Sequence, residues 1–372
     1  MNLKLHQYLK RIRFALLYLI LFLIYSAQLA DAKILMSPYL QALTQNSVYV
    51  LVESDKRKDI TVFYQEENNY TENFCTTTLI AETSESTYIH KIKLSPLKIN
   101  TKYKYWLFDK KGEKYSGEFT TLPQAGSTFR FAIMGDCRSN PEIFAKVVEK
   151  MKEAKPLFSI YLGDLCYSSR YDKWKETFFI KPHLEFISSV PFYNAVGNHE
   201  GWKQNTRAFL QVPESASNSQ EYYSVDIADM ALLILNNEID ISEYSKQFRF
   251  AKKYFSESKA KWKISASHKP AYSAGGHAEN KEMILLSKEV FEPYGVNANF
   301  SAHNHFFQHN RVNNVNHIIT AGAGAPLYTP KDAEYIVKTI KTHHYTIVDI
   351  SPDYFKLRIY DLDGNLIYSY DF

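Results

Sequence analysis

Residues 129–138 read FRFAIMGDCR and residues 157–167 read LFSIYLGDLCY, and these two stretches decide the fold. Each is a run of apolar residues that stops at Gly-Asp. Between them, Ser139-Asn140-Pro141-Glu142 has the form of a capping box with Pro near the helix start. Ile143, Phe144, Val147, Val148 and Met151 then recur at helical spacing. Strand, helix and strand at this separation predict a βαβ unit with parallel strands.

Further apolar strands are predicted at Phe192–Val196, Met230–Leu235, Lys263–Ser267 and Asn299–Ala302, with helices near Ser242–Phe255 and Glu282–Phe291. The chain from residue 128 to 372 therefore reads as an α/β domain. From residue 33 to 123 the texture differs. Ser47–Val52, Ile60–Tyr64, Tyr88–Leu94, Tyr103–Phe108 and Tyr115–Thr120 are aromatic or β-branched segments separated by polar turns, the pattern of a β-sandwich. Leu97–Tyr103 resembles the turn and tyrosine corner of fibronectin type III-like domains, and 123–127 (PQAGS) reads as a linker.

The first 32 residues read as a secretory signal peptide. Lys4, Lys10, Arg11 and Arg13 precede an apolar run from Phe14 to Tyr25, and Ala30-Asp31-Ala32 offers a small-x-small cleavage site. The run is short of the roughly 20 residues of a spanning helix. Cleavage before Lys33 would remove four basic residues and Asp31, lowering the formal charge of +4 to +1. The mature chain then has no electrostatic case for nucleic-acid binding, no membrane anchor, and a secreted or periplasmic location. Three cysteines exclude a disulfide scaffold and a four-cysteine zinc site. Cys137 and Cys166 lie beside the strand ends, and a disulfide or two buried thiols are both open.

Five strands end in polar groups of metal-ligand type: Asp136, Asp164 with Tyr167, Asn198, His268, and His303 with His305. In open α/β sheets the site lies beyond the carboxyl ends of the strands. The glycines before Asp136, Asp164 and Asn198 permit sharp turns there. His303 and His305, two apart in an extended segment, are expected to face the same side. Carboxylate, imidazole, amide and phenol suit iron, manganese or zinc.

These blocks resemble the purple acid phosphatase branch of the calcineurin-type metallophosphoesterases. GDLCY (163–167) and GNHE (197–200) match the branch's G-D-x-x-Y and G-N-H-D/E in full. Ser265–His268 carries the histidine of V-x-x-H with Ser265 for Val, and Ala302–His305 carries G-H-x-H with Ala302 for Gly. AGAGAPLY (321–328) resembles the branch's Gly-rich segment, and PYLQ (38–41) the start of its N-terminal domain. The resemblance implies a four-layer αββα sandwich preceded by a fibronectin type III-like domain. It implies two metal ions, Fe(III) with Zn, Mn or Fe(II). One would be held by Asp136, Asp164, Tyr167 and His305, the other by Asp164, Asn198, His268 and His303, with a Tyr167 phenolate favouring ferric iron.

By the same resemblance His199 faces the substrate and assists the leaving oxygen, and a metal-bound hydroxide attacks a small phosphate monoester. Arg138 departs from the branch's D-x-G block. As a guanidinium it is read as a substrate contact, with a surface salt bridge as the rival, and by the resemblance His277 lies in a loop that carries a substrate-facing histidine. The rival readings are a phosphodiesterase or nucleotidase with the same centre, and a surface binding protein whose metal site is vestigial.

Overall fold

The structure is a computed structural model that describes residues 31–69 and 71–372. The leader expected over residues 1–32 lies, up to residue 30, outside the described residues. Among them no helix is long and apolar enough to cross a membrane.

The βαβ unit forms as its pattern requires. Phe129–Met134 and Phe158–Leu162 pair in parallel, joined through the helix Pro141–Glu153. Both strands are apolar on both faces. Phe129, Phe131 and Ile133 point into one core, and Ala132 and Met134 into another. The helix is capped by Asn140, whose side chain accepts from the amides of Glu142 and Ile143, with Pro141 in the first turn. The expected cap at Ser139 is thus displaced by one residue, because Ser139 sits at φ +80° as the chain leaves the strand end.

Four layers follow. A ten-stranded sheet and a seven-stranded sheet face each other across a shared core that includes Phe131, Ile160, Ile234, Ile264, Phe300 and Ile318. The helices Pro141–Glu153 and Lys181–Ile187 cover the outer face of the first sheet. Lys246–Glu257 and Lys281–Leu286, the latter running into a π-helical turn at Ser287–Phe291, cover the second.

The N-terminal β-region is built as expected from two packed sheets, and its tyrosine corner is present: the Lys98 amide donates to the Tyr103 hydroxyl at 2.9 Å. One of those sheets is not separate from the α/β half. Ile34–Gln41 lies beside Phe192–Ala195 in parallel, meeting it at Gln41 and Phe192, so a single ten-stranded sheet runs through both halves. A short linker signal near residue 123 carries no trace of this, because the pairing joins strands about 150 residues apart in sequence.

Candidate metal centre

The polar strand ends converge on one edge of the facing sheets. Close approach sets the glycines there more than turning does. A Cβ on Gly135 would lie 2.4 Å from that of Ala302, and one on Gly197 would lie 2.1 Å from the Asp164 amide nitrogen. Of the three, Gly163 alone has a left-handed backbone (φ +84°). The sharp turns are instead taken by the polar residues themselves, Asp136 at φ +56°, Asp164 at +54° and His303 at +66°. Such conformations in non-glycine residues are costly and concentrate where a site demands them.

Glu200 holds two blocks together. Its fully buried carboxylate accepts from the amides of Gly197 (2.7 Å), Asp164 (3.1 Å) and Leu165 (3.2 Å). Burial, with the Asp164 charge nearby, pushes its pKa up to about 8. Sequence reasoning gave Glu200 no role, although it closes the GNHE block. It likewise passed over Asn304, which accepts from the His277 amide at 2.6 Å, and Tyr328, whose ring stacks on His305 at 4.1 Å.

One group of donors fits a cation directly. The His268 Nδ1 lies 2.7 Å from the Leu162 carbonyl, which only accepts, so Nδ1 carries a proton and Nε2 is the atom free to take a cation or, without one, a second proton, which the Asp164 charge favours against burial. That Nε2 lies 3.1 Å from Asn198 Oδ1, 3.2 Å from His303 Nδ1 and 3.3 Å from Asp164 Oδ1. Two imidazole nitrogens, an amide oxygen and a carboxylate thus meet in a buried place, the donor types of a metal site. Asp164 is nearly inaccessible. Burial opposes its charge, but His268, His199 and Arg138 outweigh that and hold its pKa down at about 2.

The other expected group is assembled only in part. Asp136 Oδ2 accepts from the His303 amide at 2.7 Å. Its Oδ1, buried and without a hydrogen-bond partner, lies 3.1 Å from His305 Nε2. His305 Nδ1 meets the Pro326 carbonyl at 2.7 Å, leaving Nε2 as the ligand atom. Tyr167, however, is 56% exposed, and its ring lies against that of His199 with centroids 5.5 Å apart. Arg138 points inward: its Nε donates to Asp164 Oδ2 at 3.1 Å, and its Nη2 is aimed at His305 Nε2 at 3.4 Å.

His303 and His305 do not share one side. A turn at residues 302–306 replaces the expected extended segment and sends His303 toward His268 and His305 toward Asp136. The His199 amide donates to Asp164 Oδ1 at 3.0 Å. Its Nδ1 meets the Tyr167 carbonyl at 2.8 Å, and its Nε2 stands 3.7 Å from Asp164 Oδ2. The His277 ring stacks on His303 at 4.2 Å. Cys137 and Cys166 are buried free thiols. A cleft of about 710 Å³ beside the linker, lined in part by Lys102, Arg130, Lys152 and Lys155, holds none of these groups.

A two-sheet α/β sandwich with ligand-type side chains gathered at its strand ends has the arrangement of a candidate metal centre. Residues 129–307 match the calcineurin-like phosphoesterase family. Among curated proteins it is 26% identical over 239 residues to purple acid phosphatase 21 of Arabidopsis thaliana, covering 59% of this chain and 53% of that one. It is 22% identical over 249 residues to acid phosphatase type 7 of Mus musculus, covering 59% and 56%. The chain thus spans about half the length of the curated relatives it matches.

In fold it is similar to the structure of PhoD (TM-score 0.66, 10% identity, 90% of this chain and 92% of that one). It is also similar to GAP50, described as the anchor in the inner membrane complex of Plasmodium (TM-score 0.53, 14% identity, 65% and 88%). The family implies a dinuclear metal centre, which the donors around His268 fit and those around His305 fit in part.

Proposed function

We propose that the chain is a metal-dependent phosphoric ester hydrolase acting on small phosphate monoesters outside the cytoplasm. The observation that carries this reading is the meeting of the Asp164, Asn198, His268 and His303 ligand atoms beside His199. Those four residues would hold a cation. When bound, the cation supplies positive charge to a phosphoryl oxygen and lowers the pKa of water beside it. A dinuclear centre with ferric iron first, as the resemblance has it, needs Asp136, Tyr167 and His305 to reach that ion past Arg138.

The protein groups have separate tasks. The Tyr167 carbonyl fixes the His199 tautomer, so that Nε2 faces the open side and exchanges a proton with the leaving oxygen. His277, stacked on His303, flanks the same opening and suits a phosphoryl oxygen, while the Arg138 fork is turned inward to Asp164 and His305. Glu200 positions the Asp164 and Asn198 turns. In this reading residues 33–123 form the fibronectin type III-like domain and 128–372 the catalytic one. Export rests on the leader, and intact mass of the secreted protein should give a chain beginning at Lys33.

The test compares chelator-stripped and metal-reloaded protein on p-nitrophenyl phosphate and bis(p-nitrophenyl) phosphate. Monoester turnover that falls to background on stripping and returns with metal is expected. Faster turnover of the diester would replace the monoester assignment by a phosphodiesterase. No turnover of either by metal-loaded protein would leave a binding protein with the fold, a role the GAP50 likeness shows this architecture can serve.

A further inference from the structure

We propose that the Arg138 guanidinium stands in for one of the two cations, so that this chain takes a single metal ion, held by Asp164, Asn198, His268 and His303. The inference rests on the metal-dependent reading above and changes its stoichiometry.

Arg138 is 9% exposed, and its fork is committed on the inner side. Nε donates to Asp164 Oδ2 at 3.1 Å and Nη2 to His305 Nε2 at 3.4 Å, while Nη1 meets the Ser139 hydroxyl at 3.1 Å. Asp164 and His305 are two of the four donors expected at the first cation position. A cation bound there needs oxygen and nitrogen contacts of about 2.0–2.2 Å. The N–H groups of Arg138 already point at those lone pairs. Arginine cannot escape the conflict by losing its proton, as a lysine could, so a cation beside it would meet a fixed positive charge.

The third expected donor, Tyr167, is turned to solvent. It lies beside His199, and the guanidinium carbon sits 6.0 Å from its ring centroid. The fourth, Asp136, keeps Oδ1 buried and unpartnered 3.1 Å from His305 Nε2. That orphaned oxygen is what remains of a ligand set whose centre an arginine has taken. It also gives the arrangement a direct consequence. With Arg138 removed, Asp136 Oδ1 and His305 Nε2, 3.1 Å apart, are left beside Asp164 Oδ2, and these three acceptors would hold a second ion once drawn together.

The test uses the full chain, stripped with chelator, reloaded with Mn²⁺ and freed of excess metal. Manganese per chain is counted by elemental mass spectrometry, and coupling between ions is read by electron paramagnetic resonance. Wild type should carry one Mn²⁺ per chain with the spectrum of an isolated ion, and Arg138→Gly two with an exchange-coupled spectrum. Two coupled ions in wild type would overturn the proposal, as would Arg138→Gly that stays at one. No bound manganese in either protein would instead overturn the metal-dependent reading itself. If Arg138→Gly does not fold, Arg138→Ser opens the same space, and the wild-type count decides alone.

Discussion

Two clusters of buried polar groups, one within the ten-stranded sheet and one between the strand ends of both sheets, are finished in opposite ways. At the seam where the N-terminal sheet joins the α/β strands, the charged groups have found partners, although Gln41 Nε2 and the Ser159 hydroxyl have none. Glu53 is fully buried and accepts from Thr87 (2.6 Å), Tyr171 (2.7 Å) and Lys175. Lys91 donates to the carbonyls of Leu210 (2.6 Å) and Arg207 (3.0 Å). Tyr39 and Tyr193 donate across the seam to the carbonyls of Phe209 and Leu43.

At the strand ends metal-ligand atoms crowd together instead: His268 Nε2 lies 3.1 Å from Asn198 Oδ1 and 3.2 Å from His303 Nδ1, and Asp136 Oδ1 has no partner. A satisfied buried network stabilises a fold, whereas an unsatisfied one awaits something that brings positive charge. Polar burial marks function at one place and architecture at the other.

The sharpest way to break this contrast is at His199. It touches the strand-end cluster without belonging to the convergent donors. His199→Ala should leave metal content unchanged and lower kcat by about 10²–10⁴, the usual contribution of a positioned acid or base. Loss of metal along with the rate would make His199 part of the ligand set. Full turnover would remove it from the chemistry.

At the seam, Glu53→Ala should leave turnover per folded molecule intact and lower stability by about 3 kcal/mol, because three donors lose their shared acceptor. Urea unfolding monitored beside activity separates the two effects. A folded variant that has lost activity would show that the seam serves the site, and the division drawn here would fail.

How much of this was legible in the sequence follows from range. The strand ends, the βαβ unit and the tyrosine corner depend on neighbours within a few residues, and their signals are local. Tyr88–Leu94 and Phe129–Met134 appear with the bounds their patterns predict. The sheet that runs through both halves was invisible, since Gln41 and Phe192 share no local pattern. Arg138 was visible as a departure from a motif, but its aim at Asp164 and His305 depends on packing between distant loops. Tyr167 shows the same limit: its place three residues after Asp164 is a matter of spacing, while its outward rotamer is not.

Lys91 tests the seam by a smaller and more specific effect. Burial pushes its pKa down to about 7, against about 10.4 in an unfolded chain. Between those values the unfolded chain binds a proton that the folded one lacks. Stability therefore rises with pH across this window, by at most about 1.4 kcal/mol per pH unit. Below pH 7 the amino group is charged in both states and the burial penalty is present in full. Lys91→Met removes the titration. It also takes a donor from the Arg207 and Leu210 carbonyls, a cost of about 1–3 kcal/mol that does not vary with pH. Wild-type unfolding free energy should therefore climb between pH 7 and 10 relative to the variant, the two curves differing in slope as well as offset. Parallel curves would mean that Lys91 keeps an ordinary pKa in the folded chain, with its charge solvated rather than buried at the seam.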